Sequence, residues 1–465
     1  MAANIHLQKL PLGCAASDLP CATLGAFSIG TSFGWSAPVE PRILDDGELE
    51  FSVDGQEFAW VVALMALGGA VISLPAGLAV PVMGARNTLL LFVVPAAVGW
   101  ALILAASSVP MLLLGRLFTG FGAGAFCMVV PIYLGEMAST EIRGTVGSFF
   151  QQMINLGILY VYVLGMAVDV FRLGVLCALV PIVYGVLFVF MPNTPTYLVL
   201  RNNEPKALAS IKWLRGSHFD AAGEVREIQR SLDGRHKTER RCTVWRSFRE
   251  PATARALATM VGLMFFMQTS GIHAVLFYST SIFQAANVAI KPELATILLG
   301  LLQVLGTLLS ALLVDRLGRR LLLLASSGTM CVSVLALGVY LQLLAVNPTQ
   351  VDSLGWIPVL TLCLYVTLFS VGLGPVPWLM LGEIFPNDVK GLASALANIT
   401  SFGLSFAMSR LFPLARDGIG SGPTFVIFAG FCLLAMVFVA LVVPETKGKS
   451  LADIQKMLAG GSFTN

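Results

Sequence analysis

The sequence predicts an all-α integral membrane protein with twelve transmembrane helices in two similar six-helix halves, joined by a small cytoplasmic helical linker domain. Three observations predict it. The 465 residues are 56% hydrophobic and only 12% charged, with a mean hydropathy of +0.82. A soluble chain of that length needs far more charge on its surface. Twelve runs reach the roughly 20 apolar residues a bilayer crossing takes. Motifs also recur between the halves: Glu136 and Arg143-Gly144 return 247 positions later as Glu383 and Lys390-Gly391. Pro192-Asn193-Thr194 and Pro444-Glu445-Thr446 follow the sixth and twelfth runs. Parallel repeats of this kind describe transporter halves that rock about a solute site near the midplane.

The runs fall near 20–39, 59–80, 88–108, 112–134, 146–168, 172–191, 255–284, 294–314, 321–345, 356–381, 391–413 and 423–443. Between the first two lie Glu40, Asp45, Asp46, Glu48, Glu50, Asp54 and Glu57 against Arg42 alone. The connection after the sixth carries twelve Lys and Arg residues between Arg201 and Arg249. Basic residues collect on the cytoplasmic side, so the acidic loop is expected outside, with the long connection and both termini inside. The domains expected are 1–191, the linker 192–252, and 253–465. In the linker, Ala207, Leu208, Ile211 and Leu214, then Val225, Ile228 and Leu232, recur at helical spacing. No secretory signal pattern precedes the first run. The eight cysteines stand mostly singly in apolar runs and read as small buried hydrophobes, not as a metal or disulfide framework. The net charge of +3 gives no argument for a nucleic-acid partner.

Chemistry concentrates where the apolar runs turn polar. Met267–Phe283 carries Gln268, Thr269, Ser270, His273, Tyr278, Ser279, Thr280 and Ser281 inside a spanning run. Such groups are costly in hydrocarbon unless satisfied, so the stretch should face protein or a wet cavity. Gln151, Gln152 and Gln303 add amides on the fifth and eighth spans; each offers donor and acceptor, which suits hydroxyl groups or a neighbouring helix. His273 reads as a hydrogen-bonding histidine, with a pH switch as the alternative. Gly372-Leu373-Gly374-Pro375-Val376-Pro377-Trp378 should bend or break the tenth span, since each Pro removes a donor and clashes with the preceding turn. Its freed carbonyls would line the solute path. Trp378 can stack on the apolar face of a sugar ring or simply pack. Gly115–Gly124 invites a dinucleotide reading, but within an apolar span its small residues serve close helix packing.

Asp315, Arg316, Arg319 and Arg320 surround a glycine turn between spans eight and nine, with Glu383 and Glu445 as natural partners. The first half has Gly84 and Arg86 at the matching turn, but Pro81 where the acid would stand and Ala85 where an Arg would. Its lock should be weaker or differently built. The inner-face ion-pair group expected is Arg86, Arg116, Glu136, Arg143, Asp315, Arg316, Arg319, Arg320, Glu383 and Glu445. Asn398-Ile399-Thr400 matches a glycosylation pattern but lies within span eleven and is discounted.

These residues resemble the sugar-porter family of major facilitators. The likeness spans nearly the whole chain: Gly115–Gly124, PIYLGEMA at 131–138, Arg143-Gly144 with Gln151, the 267–283 stretch, VDRLGRR, GLGPVPW and PETKGKSL at 444–451. Gln303 with GLGPVPWLMLGEIFP, and the short first external loop, look most like insect-type trehalose transporters and intracellular-type facilitative glucose transporters. The resemblance implies sugar contacts at Gln151, Gln268, His273, Gln303 and Trp378, and gating at Tyr278, Gly374, Pro375 and Pro377. Met267, Thr269, His273, Ser370 and Phe402 depart from the family pattern, as do Asn193 and Thr196, which leaves the sugar open.

No Asp or Glu occurs in 20–39 and none stands convincingly at midplane elsewhere, whereas proton coupling generally needs a titratable group in the pathway. Facilitated movement of a hexose or trehalose is therefore expected, with no cofactor and no enzymatic constellation. The functional unit would be monomeric, in the cell membrane or alternatively an endosomal or lysosomal one. Two alternatives stand: a proton-coupled symporter titrating at His273, and a non-transporting sugar sensor.

Overall fold

A computed structural model describes residues 15–137, 143–215, 220–236, 250–348, 354–385, 387–449 and 451–460. Among these the secondary structure is helical, without strands. Residues 138–142 and the basic sequence 237–249 lie outside the described residues.

The first span is α1 (Ala15–Gly34) continued by α2 (Ser36–Leu44). Spans two to six are α3 (Gly55–Met83), α4 (Ala85–Leu104), α5 (Val109–Met137), α6 (Arg143–Ala167) and α7 (Val170–Phe188). Three shorter helices follow: α8 (Pro195–Leu200), α9 (Glu204–Arg215) and α10 (Ala221–His236). They share a small apolar cluster of Leu198, Val199, Ala207, Ile211, Ala221 and Val225. Span seven is α11 (Pro251–Thr269) and α12 (Ile272–Ala285); spans eight and nine are α13 (Pro292–Leu317) and α14 (Arg319–Val346). Span ten is α15 (Ile357–Val371) and α16 (Pro375–Ile384), followed by α17 (Asn387–Ile419), α18 (Ser421–Val442) and a terminal α19 (Leu451–Gly460). Eleven of these segments are long and apolar enough to cross a membrane; α1 supplies the first of the twelve spans.

Small residues set the helix spacing. A Cβ on Gly120 would stand 2.1 Å from the Met65 carbonyl oxygen, and one on Gly124 would stand 2.5 Å from Gly69. The Gly115–Gly124 stretch thus brings α5 onto α3 at backbone contact, the packing expected of small residues in apolar spans. Gly30 and Gly157 do the same between α1 and α6. The halves meet along α3 with α17, α6 with α13, and α2 with α12.

The two broken spans are built differently. Span seven breaks at Gly271, whose φ of +92° suits glycine. The Ser270 carbonyl left there accepts from Tyr365 OH at 3.0 Å. Span ten breaks at Gly372–Gly374. The freed Val371 carbonyl accepts from Ser310 Oγ at 2.7 Å, and the Leu373 amide donates to Ser326 Oγ at 3.1 Å. The expectation that freed carbonyls line the solute path thus fails for Val371, while Gly374 does line the cavity between the halves. Hydroxyls from spans eight and nine take up these backbone groups, because an unpaired one would be costly in an apolar setting.

The Gly271 turn yields a test. A Cβ there would lie 2.6 Å from the Phe428 ring at a φ that side chains rarely adopt. Gly271→Ala should destabilise the purified protein by about 1–3 kcal/mol, seen as a lowered melting temperature in detergent. Gly403→Ala, whose Cβ meets nothing within 4 Å, should hold or raise it.

Candidate functional site

The polar residues of spans five, seven, eight, ten and eleven converge on one cavity between the halves. Gln151, Gln268, His273, Gln303, Gly374 and Trp378 all line it, joined by Asn155, Ser401 and Ser405. Its apolar lining includes Phe33, Phe150, Phe369 and Phe402. Such a mixture of aromatic surface and a few fixed polar groups is what a small-molecule site requires. Among the described residues no carboxylate, Lys or Arg lines it.

One wall is an amide cluster. Asn155 Oδ1 accepts from Gln151 Nε2 at 3.3 Å and from Gln303 Nε2 at 3.1 Å, while Asn155 Nδ2 donates to Thr307 Oγ1 at 2.5 Å. The bonds of Asn155 to Gln303 and Thr307 cross from the first half to the second. On the facing wall Gln268 Nε2 donates to Ser401 Oγ. Gln268 Oε1, Gln303 Oε1, His273 Nδ1 and Ser405 Oγ are buried without a protein partner. Such atoms are expensive to leave dry, so they are the natural contacts for a hydroxylated ligand. The His273 ring lies 5.1 Å from Phe277 and 5.9 Å from Phe33. Phe33 also faces Phe402 at 6.1 Å.

Sequence reasoning missed Asn155, Ser401 and Ser405. The spacing of Gln151 and Asn155, and of Ser401 and Ser405, puts each pair on one helix face and could have found them. Gln152 is buried but does not line the cavity, and its Oε1 has no partner. Pro375 and Pro377 begin α16 and stand outside the lining. Tyr278 is also outside it: its hydroxyl donates to the Ser409 carbonyl at 3.3 Å and its ring packs on Phe412.

Toward the acidic-loop end the halves are joined again. Glu40, assigned by sequence to the loop, is in α2 and only 3% exposed. Its Oε2 accepts from Ser281 Oγ at 2.7 Å and its Oε1 lies 4.0 Å from Arg416. Arg410 donates to Gln56 Oε1 at 2.6 Å beside it, and Tyr162 OH donates to the Leu276 carbonyl at 2.8 Å.

The opposite end holds the ion pairs of the second half. Arg319 bonds Glu383 at 2.7 Å and Asp315 at 3.1 Å. Glu445 accepts from the backbone amides of Arg319 and Arg320 at 3.1 and 3.0 Å, capping α14 with a carboxylate where the helix dipole favours one. Thr446 Oγ1 donates to Glu383 Oε2 at 2.6 Å. The Arg316 carbonyl accepts from Lys447 Nζ at 2.7 Å, and Arg320 donates to the Ala440 carbonyl. Gly84 and Gly318 make the same turn, with φ of +82° and +90°. In the first half, Arg86 instead donates to Asn87 Oδ1 and to the Val189 carbonyl. Glu136 ends α5, Arg143 opens α6, and the Arg143 side chain lies outside the described residues.

Arg116 does not belong with this group. It is fully buried near the start of α5, two helical turns from its acidic-loop-side end. It donates to the Val61 and Ser32 carbonyls and to Ser36 Oγ, each at 3.1 Å, with its guanidinium 5.1 Å from the Trp35 ring. Among the described residues no carboxylate pairs with it. Carbonyls and an aromatic face carry its charge.

Two six-helix halves around a shared polar cavity, with matching glycine turns at one end of which the second is ion-paired, define a carrier of the major facilitator fold. The chain matches the family described as "Sugar (and other) transporter" over residues 21–458 and belongs to it. It is 34% identical over 440 residues to the facilitated trehalose transporter Tret1 of Culex quinquefasciatus, covering 94% of this chain and 84% of that protein. The Tret1 of Bombyx mori is 34% identical over 458 residues, covering 98% and 89%. The chain spans about half the length of longer relatives, 55% of the Tret1 of Anopheles gambiae. Among solved structures, the proton:xylose symporter XylE superposes with a TM-score of 0.75 at 25% identity, covering 96% of this chain and 99% of that one.

The acidic-loop contact yields a test. Glu40→Leu removes both the Ser281 bond and the Arg416 attraction. In a Cys127→Ser background, which removes the native thiol lining the cavity, it should raise labelling of a Ser405→Cys thiol several-fold. The reagent would be bulky, membrane-impermeant and applied from the acidic-loop side; Glu40→Gln, which keeps an acceptor for Ser281, should give an intermediate rise.

Proposed function

We propose that this protein moves a hexose or trehalose across its membrane by alternating access, as facilitated diffusion. The observation that carries this reading is the wholly uncharged lining of the cavity: amides, hydroxyls and one imidazole set among aromatic rings. Amides pair with sugar hydroxyls in either sense, and aromatic faces cover the apolar face of a pyranose. No charged group in the lining would need to change protonation during transport. The names of the Tret1 relatives support both the solute class and the facilitated mode.

In this reading Gln151, Gln268, His273, Gln303 and Trp378 hold the sugar. The break at Gly374, Pro375 and Pro377 is the hinge of one gate, and Tyr278 stands beside the other. The acidic-loop end faces outward, and the long basic connection and both termini face the cytoplasm. Residues 1–191 and 253–465 are the rocking halves and 192–252 the cytoplasmic linker. The working unit is a monomer, placed in the cell membrane, without nucleic-acid partner, cofactor or metal. Most of the bonds between the halves run from the cavity to the acidic-loop end (Asn155–Thr307, Tyr162–Leu276, Glu40–Ser281), with Asn398–Ser73 about one turn to the other side of the cavity, and this balance supports a state closed to the outside.

A proton-coupled reading is favoured only by His273, whose Nδ1 is buried without a partner, and by the name of XylE. Proteoliposome uptake separates the two. Labelled D-glucose or trehalose should enter saturably, show counterflow, and be indifferent to an imposed proton gradient. Acceleration by an inward gradient, abolished in His273→Asn, would instead establish symport. Absence of counterflow above empty vesicles, with sugar still bound, would leave a sensor. Gln268→Leu should weaken sugar binding tenfold or more, since it deletes one buried acceptor and unpairs Ser401, while leaving the melting temperature within a few degrees.

A further inference from the structure

The donor sense of the amide wall follows from one threonine. Thr307 has a single hydroxyl proton, and it is given to the Gln303 backbone carbonyl at 3.0 Å. Toward Asn155 the Thr307 oxygen can therefore only accept. Asn155 must turn its Nδ2 to Thr307, at 2.5 Å, which leaves Oδ1 facing the two glutamines. Gln151 and Gln303 must then both turn Nε2 toward Asn155, at 3.3 and 3.1 Å. Each step excludes the flipped amide, because the flip would set two donors or two acceptors against each other.

We propose that Asn155, held by Thr307, is a positioning residue that fixes Gln151 and Gln303 as acceptors, so that this wall of the cavity selects ligands by the hydroxyl protons they donate. The inference rests on the sugar-transport reading and deepens it. Gln303 Oε1 is buried with no partner, as the argument requires. The facing wall repeats the pattern: Gln268 gives one Nε2 proton to Ser401 and keeps Oε1 free. A ligand presenting an acceptor where these carbonyl oxygens point would leave them unpaired, since each glutamine has only its second Nε2 proton left to donate, in another direction. A hydroxyl there satisfies a group that is otherwise buried and unpaired. Asn155 is 2% exposed, so its amide acts through the glutamines it holds.

The experiment is inhibition of labelled D-glucose or trehalose uptake, whichever the wild type carries, in proteoliposomes. The inhibitors are monodeoxy- and monodeoxyfluoro-D-glucoses, with one hydroxyl replaced at a time. Fluorine keeps the size and acceptor character of a hydroxyl but removes the proton. At one or more ring positions the deoxy and fluoro analogues should lose affinity together, on the order of tenfold. Thr307→Val, nearly isosteric, frees Asn155 to flip, and should shrink the fluoro penalty several-fold at those positions. Thr307→Ser should restore it, and Asn155→Leu should flatten the ranking. Fluoro analogues that match the parent sugar at every position would overturn the proposal, as would an unchanged ranking in both Thr307→Val and Asn155→Leu. Either result would leave the transport reading intact. A wild type that carries neither sugar would overturn that reading and this one together.

Discussion

Satisfying polar groups in surroundings that supply no water is the constraint on which the rest of this structure depends. A spanning helix is cheap because its backbone closes on itself. At the two breaks, backbone groups that lose helical partners find others elsewhere in the bundle. Where span ten opens, Ser310 and Ser326 take up the Val371 carbonyl and the Leu373 amide. Where span seven opens, Tyr365 takes up Ser270. The buried Arg116 collects two carbonyls, a hydroxyl and an indole face. Buried polar atoms without partners also occur away from the cavity, as at Gln152 Oε1 and Tyr184 OH, but the oxygens of Gln268 and Gln303 and the Nδ1 of His273 share one location. They converge on a cavity, and the simplest account of their lack of partners is that a ligand supplies them.

Most of the fold was legible in the sequence, because its causes are local and additive. Hydropathy needs only a window of about 20 residues, and the eleven apolar spans and the break in span ten lie where runs and a Gly/Pro cluster put them, whereas the break of span seven at the lone Gly271 was not expected. The second-half ion pairs were legible for a similar reason: Asp315, Arg319, Glu383 and Glu445 leave few alternative partners at helix ends. The site was legible in part. Gln151, Gln268, Gln303 and Trp378 were conspicuous as polar or aromatic residues in apolar runs. Asn155 escaped attention although it sits on the face of Gln151, because what distinguishes it is a bond to Thr307 on another half. Glu40 was read as one acid of an acidic loop. Only the meeting of α2 with α12 shows that it is buried against Ser281. Arg116 was placed with the inner-face charges by type, and its position near the start of α5 puts it elsewhere.

The two halves share a backbone plan more closely than a chemistry. Gly84 and Gly318 make equivalent turns, yet the second is wrapped by three carboxylates and the first by backbone carbonyls. Ion pairs break and re-form with a change of hydration, whereas a guanidinium on a carbonyl carries no opposing charge to release. Among the described residues, the ionic contact found at this end is concentrated in the second half, around Arg319. At the other end it is shared between halves, because Glu40 belongs to the first and Ser281 and Arg416 to the second.

This asymmetry bears on how a sugar can drive the cycle. A ligand shifts a conformational equilibrium only by its differential affinity for the two states. The amide wall is built from both halves: Gln151 and Asn155 on span five, Gln303 and Thr307 on span eight. In the proposed cycle, rocking of the halves lengthens the Asn155–Thr307 and Asn155–Gln303 bonds: Gln303 loses the partner that orients it, and Gln151 keeps an Asn155 whose amide Thr307 no longer fixes. A sugar held by both Gln151 and Gln303 therefore favours the state in which those bonds are intact. The same bonds that shape the site report to it whether the halves are together, so recognition and closure are linked through one side chain.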